Sequence, residues 1–322
     1  MKKWTALFLI ALTLIVTACS SESSNPTNAA EKEKQQAQTA VSPFPVTVTD
    51  ASGQDVTIKQ KPERIVSLIP SNTEITYALG AGDRVVGVSK FDNYPAEVKA
   101  VEKIGGQHFN VEKIISLKPD VVLAYETQLA SHKDALDQLR KAGIQVVAVN
   151  ESSNFKDVYH SITLIGKVTG TSEKAGDIIR HMKETIAGIK AKASTVSDSE
   201  QKSVWVEVSP APDIYTTGTG TFMNQMLETI HAKNIAADQK GWVKYSPEAV
   251  VKKNPDVIVL TYGNFVKHPV EKVLSREGWQ KVAAVKNHQV YAVDSDLVSR
   301  PGPRLTKGLE KLAQTVYPNV FQ

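Results

Sequence analysis

Short continuous apolar runs alternate with amphipathic stretches along most of the chain. Apolar runs of strand length occupy residues 64–69, 120–125, 203–208 and 256–262. The stretches between them carry apolar residues every three to four positions, which is the spacing of one helix face. Uninterrupted apolar strands that alternate with helices are typical of buried parallel sheets with right-handed crossovers. The pattern therefore predicts an α/β fold.

Local signals supply the remaining elements. Alternating residues around a turn predict a hairpin over 46–58, and Ser71 or Asn72 can cap a helix that ends at Gly80 or Gly82. Further strands are predicted at 85–88, 145–150 and 289–294, and further helices at about 221–231, 246–253, 270–283 and 303–316.

One segment occurs twice in the chain. Residues 111–124 (VEKIISLKPDVVLA) match residues 247–260 (PEAVVKKNPDVIVL), and residues 136–150 match 279–294 in the same order. Each copy reads as a short helix, a Pro-Asp turn and an apolar strand. Two such copies indicate two similar lobes, and a cleft between lobes is a common place for a small ligand.

The longest helical pattern lies between the two copies. Apolar residues recur at helical spacing from Phe155 to Val168, pause at Gly170 and resume up to Lys192. We therefore expect two Rossmann-like lobes with parallel sheets, joined by a long helical connector that limits the closure of a pre-formed cleft. The predicted boundaries are 45–154 for the N-terminal lobe, 155–195 for the connector and 196–322 for the C-terminal lobe.

The N-terminus carries a targeting pattern. Lys2 and Lys3 precede an apolar run and the sequence Val-Thr-Ala-Cys, which ends at Cys19, the only cysteine of the chain. A basic start, an apolar stretch and small residues before the cleavage point are typical of a secretory signal, here residues 1–18. We expect a lipid on Cys19; the alternative is an ordinary signal peptide with a chance cysteine. Residues 19–44, with little apolar bulk, would be a flexible tether.

Composition and motifs exclude several classes of function. The net charge of +4 is mild and spread along the chain, so we expect no nucleic-acid partner. The chain carries no P-loop, HExxH, GxSxG or CxxC motif. Seven scattered histidines, of which His108 alone is a clear cleft candidate, predict no metal site and no catalytic activity. We expect a monomer.

The ordered motifs together resemble a known family. The segments are RIVSLIPSNTEITYALG (64–80), FDNYP (91–95), WVKYSPE (242–248) and SDLVSRPGPR (295–304). With the N-terminal pattern and the repeat, they resemble the substrate-binding lipoproteins of bacterial ABC importers, in the branch that captures vitamin B12, ferric siderophores and haem. Within that branch the vitamin B12-binding proteins are the most similar.

The resemblance implies two docking residues. Glu112 and Glu248 occupy matched positions in the repeat, and the family uses a glutamate on each lobe to meet arginines of the permease's membrane subunits. Carboxylates accept bidentate arginine pairs well. The alternative is that each glutamate is an ordinary first-turn residue that the helix dipole favours.

Aromatic residues near strand ends suggest cleft walls. The candidates are Tyr94, Tyr125, Tyr215, Trp242 and Tyr262, because ligands of open α/β sheets lie beyond the carboxyl ends of the strands. The resemblance assigns the first four to the ligand walls, whereas Tyr262 rests on its position alone. Any of them could instead be ordinary packing.

The resemblance also implies polar ligand contacts at Asp296 and Arg300, for which a mutual salt bridge is the alternative. We expect Arg304 to support the loop that carries them. Gly106 stands where the vitamin B12-binding proteins carry a tryptophan, a space that His108 or Phe109 could fill.

The expected function is that of a lipid-anchored protein on the extracytoplasmic face of the cell membrane. It would bind cobalamin or a related corrinoid, carry no other cofactor, and deliver its ligand to a permease driven by a separate ATPase. The alternatives are a ferric-siderophore or haem receptor, a two-lobed metal-dependent enzyme and a structural surface lipoprotein.

Overall fold

Two parallel sheets, one in each half of the chain, organise the computed structural model, which describes residues 43–321. The predicted signal peptide, Cys19 and nearly all of the predicted tether lie outside the described residues. Within the described part, no helix has the length and apolar character needed to cross a membrane.

The N-terminal lobe is built on a five-stranded parallel sheet with the strand order β5-β4-β3-β6-β7. A short antiparallel hairpin, β1 and β2, precedes it, as the alternating pattern predicted. The strands are β1 Val46–Thr49, β2 Asp55–Ile58, β3 Ile65–Ser67, β4 Val85–Val88, β5 Glu102–Lys103, β6 Val121–Tyr125 and β7 Gln145–Val149. The helices are α1 Pro70–Ala78, α2 Val111–Ser116, α3 Gln128–Ser131 and α4 Lys133–Lys141, with 3-10 turns at Gly82–Arg84 and Ala96–Ala100.

The C-terminal lobe contains a four-stranded parallel sheet with the order β10-β8-β12-β13, and a two-stranded antiparallel ribbon of β9 and β11. The strands are β8 Ser203–Glu207, β9 Tyr215–Thr217, β10 Lys233–Asn234, β11 Trp242–Lys244, β12 Val257–Leu260 and β13 Val290–Ala292. The helices are α7 Phe222–Thr229, α8 Pro247–Lys253, α9 Pro269–Leu274, α10 Ala283–Lys286, α11 Ser295–Ser299 and α12 Leu305–Val316. The predicted α/β fold with two parallel-sheet lobes is confirmed.

The duplicated Pro-Asp turn has the same structural role in both lobes. The Asp120 carboxylate accepts hydrogen bonds from the backbone N–H of Glu63 and Arg64, just before β3. The Asp256 carboxylate accepts hydrogen bonds from the backbone N–H and the hydroxyl of Ser203, where β8 begins. Each aspartate therefore joins its own strand to the neighbouring parallel strand through charge-assisted hydrogen bonds. The sequence repeat is thus also a structural repeat.

Two helices connect the lobes: α5 Phe155–Thr169 and α6 Ser172–Ala193. Gly170, at φ +72°, adopts the left-handed conformation that ends α5, as the pause in the apolar pattern predicted. Helix α5 packs against α1 and β1 of the N-terminal lobe, whereas α6 packs against α7 and α12 of the C-terminal lobe. One continuous apolar core runs through α5, α6 and one face of each sheet, so the connector is packed into both lobes.

Two details of the predicted elements were wrong. Helix α1 begins at Pro70, and Ser71 and Asn72 lie buried inside its first turn without capping it, because proline at the first helical position already has the required φ. Helix α9 covers only the first part of the helix predicted over 270–283, and α10 begins at the last residue of that range, Ala283. Gly278, at φ +79°, lies in the turn that separates them.

Candidate functional site

The carboxyl ends of the two sheets carry the residues that bring the lobes together. Segments that follow β3 and β4 contact the segment that follows β13, across more than two hundred positions of sequence. These contacts lie where ligands of parallel α/β sheets bind, and we refer to this region as the interlobe site.

The centre of the interlobe site is a buried carboxylate held by two arginines of the other lobe. Glu74, on α1, is only 3% exposed. Its carboxylate accepts a hydrogen bond of 2.8 Å from Arg300 and two bonds, of 2.7 and 2.6 Å, from Arg304. The Arg304 guanidinium also lies 3.9 Å from the ring centroid of Tyr94. Arg304, which was expected to support its own loop, therefore bonds to the opposite lobe instead.

Arg300 and Asp296 are likewise engaged across the lobes. They form the salt bridge anticipated as the alternative to ligand contact, at 2.9 Å. Arg300 also donates to the Asn93 side-chain oxygen at 2.7 Å, and Asn93 donates back to Asp296 at 2.8 Å. We refer to Glu74, Asn93, Asp296, Arg300 and Arg304 as the ionic network. A ligand that contacts Asp296 or Arg300 must compete with the bonds of this network. Contact of these two residues with a ligand stays a prediction.

The antiparallel ribbon of β9 and β11 presents two of the predicted wall residues together. Tyr215 pairs with Lys244, and Trp242 pairs with Thr217. Directly paired residues and residues two apart share one face of a ribbon, so the two aromatic rings lie diagonally on the same face. Tyr215 is 40% and Trp242 47% exposed. The ribbon folds over the carboxyl end of β8, because Val208 donates its N–H to the carbonyl of Tyr215.

The predicted wall tyrosines differ in accessibility. Tyr94, after β4, is 41% exposed and stacks on Arg304. Tyr125, at the end of β6, is half-buried against the main core, and its hydroxyl accepts a hydrogen bond from the Ser152 N–H. Burial raises the pKa of Tyr125 to about 12. Tyr94 is therefore open to a ligand face, whereas Tyr125 presents only part of its ring.

The interpretation of Tyr262 as a wall residue was wrong. Its ring is buried, and its hydroxyl donates a hydrogen bond of 2.6 Å to the buried carboxylate of Glu207. Glu207 also accepts two hydrogen bonds from Arg276, which stacks on Trp279. Burial and the negative charge of Glu207 both raise the pKa of Tyr262. Tyr262 is therefore part of a buried cluster with Glu207 and Arg276, in which its hydroxyl supplies a hydrogen bond to the carboxylate.

A pocket of about 330 Å³ opens at the carboxyl edge of the N-terminal sheet. Its lining includes Phe91, Gly106 and His108. The Lys90 side chain lies against Gly106, in space that a larger residue would need. Phe109 is buried in the core of the lobe and does not fill this space. His108 lines the pocket, so of the two residues expected to fill the gap only the histidine is placed there.

Sequence reasoning missed several residues of this region. Phe91 and Phe265 are the most exposed large apolar side chains of the described residues, at 49% and 78%. Phe91 and Asn93 belong to the FDNYP segment, from which only Tyr94 was selected. Phe265 lies five residues after the end of β12, and this position beyond a strand end could have marked it as a candidate cleft residue.

Asp92, beside the network, gives a pH-dependent prediction. Burial raises the pKa of Asp92, and the hydrogen bond from Ser89 offsets this only in part. The native state thus binds this proton more tightly than the unfolded chain does, so wild-type stability falls as pH rises through the native pKa. Asp92→Asn, which keeps the acceptor for Ser89, should therefore gain stability relative to wild type as the pH rises above the ordinary aspartate pKa of about 4. Urea unfolding at a series of pH values above this pKa measures the gain; a difference that is flat with pH, as expected for the exposed control Asp134→Asn, would contradict it.

The two predicted docking glutamates lie on exposed first turns. Glu112 is on α2 and Glu248 is on α8, at equivalent points of the two repeats. The Glu112 side chain makes no ion pair or hydrogen bond with any other residue that the structure describes. The Glu248 carboxylate accepts a hydrogen bond of 2.7 Å from the Ser246 hydroxyl. That hydrogen bond lowers the pKa of Glu248. Both side chains are exposed, so each carboxylate can still accept hydrogen bonds from a partner.

Metal-ligating side chains do not converge on the interlobe site. Within residues 43–321, no group of three or more histidine, cysteine, aspartate or glutamate side chains is arranged to hold a metal ion. The site consists of exposed aromatic rings, an ionic network and a small pocket, which suits non-covalent capture of a ligand.

Comparison with known proteins decides the family. The family model described as "Periplasmic binding protein" matches residues 65–297, which is well over half of the chain. The chain belongs to the periplasmic binding protein family. Within it, the chain is an ABC transporter substrate-binding protein of the vitamin B12, haem and siderophore class.

Three relatives show how far the similarity extends. The uncharacterised ABC transporter substrate-binding lipoprotein YvrC of Bacillus subtilis strain 168 is 53% identical over 99% of this chain and 98% of its own. A cobalamin-binding protein of Halobacterium salinarum strain R1 is 31% identical over 85% of this chain and 74% of its own. The crystal structure of a possible iron-binding, periplasmic solute-binding protein from Staphylococcus epidermidis is 40% identical and has a TM-score of 0.71, covering 80% of this chain and 100% of its own. This binding protein therefore shares both fold and sequence with proteins described as substrate-binding or solute-binding.

Proposed function

We propose that this binding protein captures cobalamin or a related corrinoid between its two lobes and delivers it to an ABC permease. The observation that carries the proposal is the set of exposed aromatic rings, Tyr94, Tyr215 and Trp242, at the carboxyl edges of the two sheets. Aromatic side chains cover a broad, partly apolar face at low entropic cost. The cobalamin-binding relative from Halobacterium supports the same ligand class.

Polar groups at the edge of the site suit the rim of a corrinoid. Its amides and phosphate need donors and acceptors, which Arg300 and Asp296 supply once they exchange the interlobe contacts for ligand contacts. Tyr125 contributes the exposed part of its ring. Lobe separation on ligand entry would free the arginine, because Asn93 and Glu74 belong to the opposite lobe.

The second candidate ligand is a ferric chelate or haem. The structural relative from Staphylococcus, described as possibly iron-binding, favours it. Gly106 leaves room for the Lys90 side chain, which makes the N-terminal half of the site more positively charged than an aromatic wall would. An anionic ferric chelate would match that charge.

Docking and anchoring complete the proposal. Glu112 and Glu248 bind arginines of the permease's transmembrane subunits, and the ATPase acts through the permease. The lipid on Cys19 holds the protein on the extracytoplasmic face of the membrane, behind a signal peptide of 18 residues. The match to a lipoprotein over 99% of the chain supports the anchor.

Truncation of Trp242 tests the aromatic wall. Trp242→Ala should weaken cobalamin binding about tenfold, since a buried aromatic contact contributes about 1–2 kcal/mol. Trp242→Phe should keep most of the affinity, because it retains an aromatic face beside Phe222. Isothermal titration calorimetry measures both, and an Ala variant with wild-type affinity would place Trp242 in packing alone.

A ligand panel tests the proposal as a whole. The mature chain in detergent would be titrated calorimetrically with cyanocobalamin, a ferric hydroxamate, a ferric catecholate and haem. One-to-one binding of cyanocobalamin at submicromolar affinity, with the other three silent, is the expected result. Binding of a ferric chelate or haem with cobalamin silent would replace the corrinoid by the second candidate.

A further inference from the structure

The Asn93 side chain joins the two lobes through a single acid–base pair. Asn93 lies in the segment that follows β4, whereas Asp296 and Arg300 lie at the start and just past the end of α11 in the other lobe. The Asn93 side-chain N–H donates to the Asp296 carboxylate at 2.8 Å, and its side-chain oxygen accepts from the Arg300 guanidinium at 2.7 Å. The donor and the acceptor of one primary amide are therefore both bound by this pair.

The Asp296–Arg300 pair keeps its shape without help from Asn93. The two side chains lie one helical turn apart and form their own salt bridge at 2.9 Å. The Asp296 N–H donates to the Asp294 carboxylate, and the Arg300 guanidinium also donates to Glu74 at 2.8 Å. Loss of the Asn93 amide would thus leave a formed pair, with an acceptor oxygen and a donor N–H turned toward the space that the amide now fills.

The two bonds of Asn93 are easier to exchange than those of Glu74. Asn93 is exposed, so water can replace its partners when the bonds break, whereas Glu74 is buried and would lose its partners without replacement. Rotation of the Asn93 side chain is enough to open one face of the pair. Release of the whole Arg300 guanidinium from Glu74 needs the lobes to separate. Asn93 is therefore the contact of the ionic network that yields first.

The turn that carries Asn93 stays in place when its side chain rotates. On one side the Ser89 hydroxyl donates to the Asp92 carboxylate at 2.5 Å, and on the other side Tyr94 stacks on Arg304. The amide is thus tethered within reach of the pair, which gives it a high effective concentration there. A tethered group that makes the bonds of a ligand reduces the apparent affinity in proportion to the fraction of molecules in which the site is open.

We infer that Asn93 is an internal competitor of the ligand: its amide occupies the Asp296–Arg300 pair in the empty protein and holds the apparent affinity below that of the open site. This inference rests on the proposed function. The group that displaces Asn93 is one that makes the same two bonds, and a primary amide at the rim of a corrinoid does so. Asn93 itself contributes no favourable contact to the bound state.

Removal of the Asn93 amide should tighten ligand binding. Asn93→Ala should lower the Kd for cyanocobalamin about five- to tenfold, the factor expected if the pair is open in about 10–20% of the empty molecules. The gain should lie in the association rate, with the dissociation rate unchanged, because the bound state is the same in both proteins. Stopped-flow quenching of tryptophan fluorescence by cyanocobalamin, on the mature chain in detergent, measures both rates. Asn93→Ser, whose side chain is too short to reach both partners, should behave in the same way.

Two controls show whether the effect acts through the pair. In an Arg300→Ala background there is no pair to compete for, so the addition of Asn93→Ala should bring no further gain. Asn287→Ala removes an exposed asparagine just before β13, at the opposite end of the C-terminal sheet, and should leave both rates unchanged.

The outcomes are distinct. Unchanged or weaker binding by Asn93→Ala, or an equal gain in the Arg300→Ala background, would overturn the internal competition while leaving the corrinoid proposal in place. Absence of cyanocobalamin binding by both the wild type and Asn93→Ala would overturn the proposed function, and the inference with it.

Discussion

Glu74→Gln should lower the free energy of unfolding by about 3 kcal/mol. The substitution keeps the shape of the side chain but removes the negative charge that faces Arg300 and Arg304. Removing one partner of a largely buried ion pair typically costs about 3–5 kcal/mol, because the remaining charges stay desolvated. The lower end applies here, since both arginine side chains keep 14–15% of their surface exposed. Urea unfolding, followed by circular dichroism, measures the change.

Glu173→Gln is the matched control for this substitution. Glu173 is an exposed residue in the first turn of α6, and its replacement should change stability by less than about 0.5 kcal/mol. If Glu74→Gln proved as mild as this control, the two arginines would not depend on the carboxylate, and the ionic network would not hold the lobes together.

Replacement of Glu112 and Glu248 together by alanine should nearly abolish ligand uptake in cells while leaving ligand affinity intact. Each carboxylate lies on the exposed first turn of its helix, and the one hydrogen bond that either side chain makes within residues 43–321 joins Glu248 to Ser246. If each pair with a permease arginine contributes about 1.5 kcal/mol, loss of both weakens docking about a hundredfold. Uptake of labelled cobalamin by cells measures the first effect, and calorimetry on the purified variant measures the second.

Two other exposed glutamates provide the control for docking. Glu97 and Glu277 carry the same charge, one in each lobe, and lie on neither α2 nor α8. Their double replacement by alanine removes two negative charges and should leave uptake unchanged. Equal uptake by both double variants would refute the docking role; equal loss in both would mean that net charge, and no specific contact, governs the encounter.

The continuous apolar strands, the helical spacing between them and the duplicated segment together were sufficient to predict the two-lobed fold. Apolar strands such as Val121–Tyr125 and Val257–Leu260 are buried on both faces, so their composition alone identifies them. Short helices were harder to predict. The segment over 270–283 has helical spacing throughout, but the turn at Gly278 and the packing of Trp279 against Arg276 divide it.

The candidate site was predictable only in part. Residues with a signal in the chain, such as Tyr94 and Trp242, lie exposed at strand ends, as expected. Tyr262 has the same local signal, yet the structure buries it against Glu207, because long-range partners decide which side of a strand end faces solvent. The contact of Glu74 with Arg304, 230 residues apart in sequence, leaves no local signal at all.

The position of a bound corrinoid decides whether the cleft between the lobes is the ligand site. A crystal structure of the protein with cyanocobalamin, with the cobalt located by its anomalous scattering, would give that position without reference to any model of the site. We expect one cobalt peak between the lobes, with the corrin face against Trp242 and Tyr94. A peak elsewhere, for example in the larger pocket beside Tyr317 and Lys202 at the opposite end of the C-terminal sheet, would contradict it.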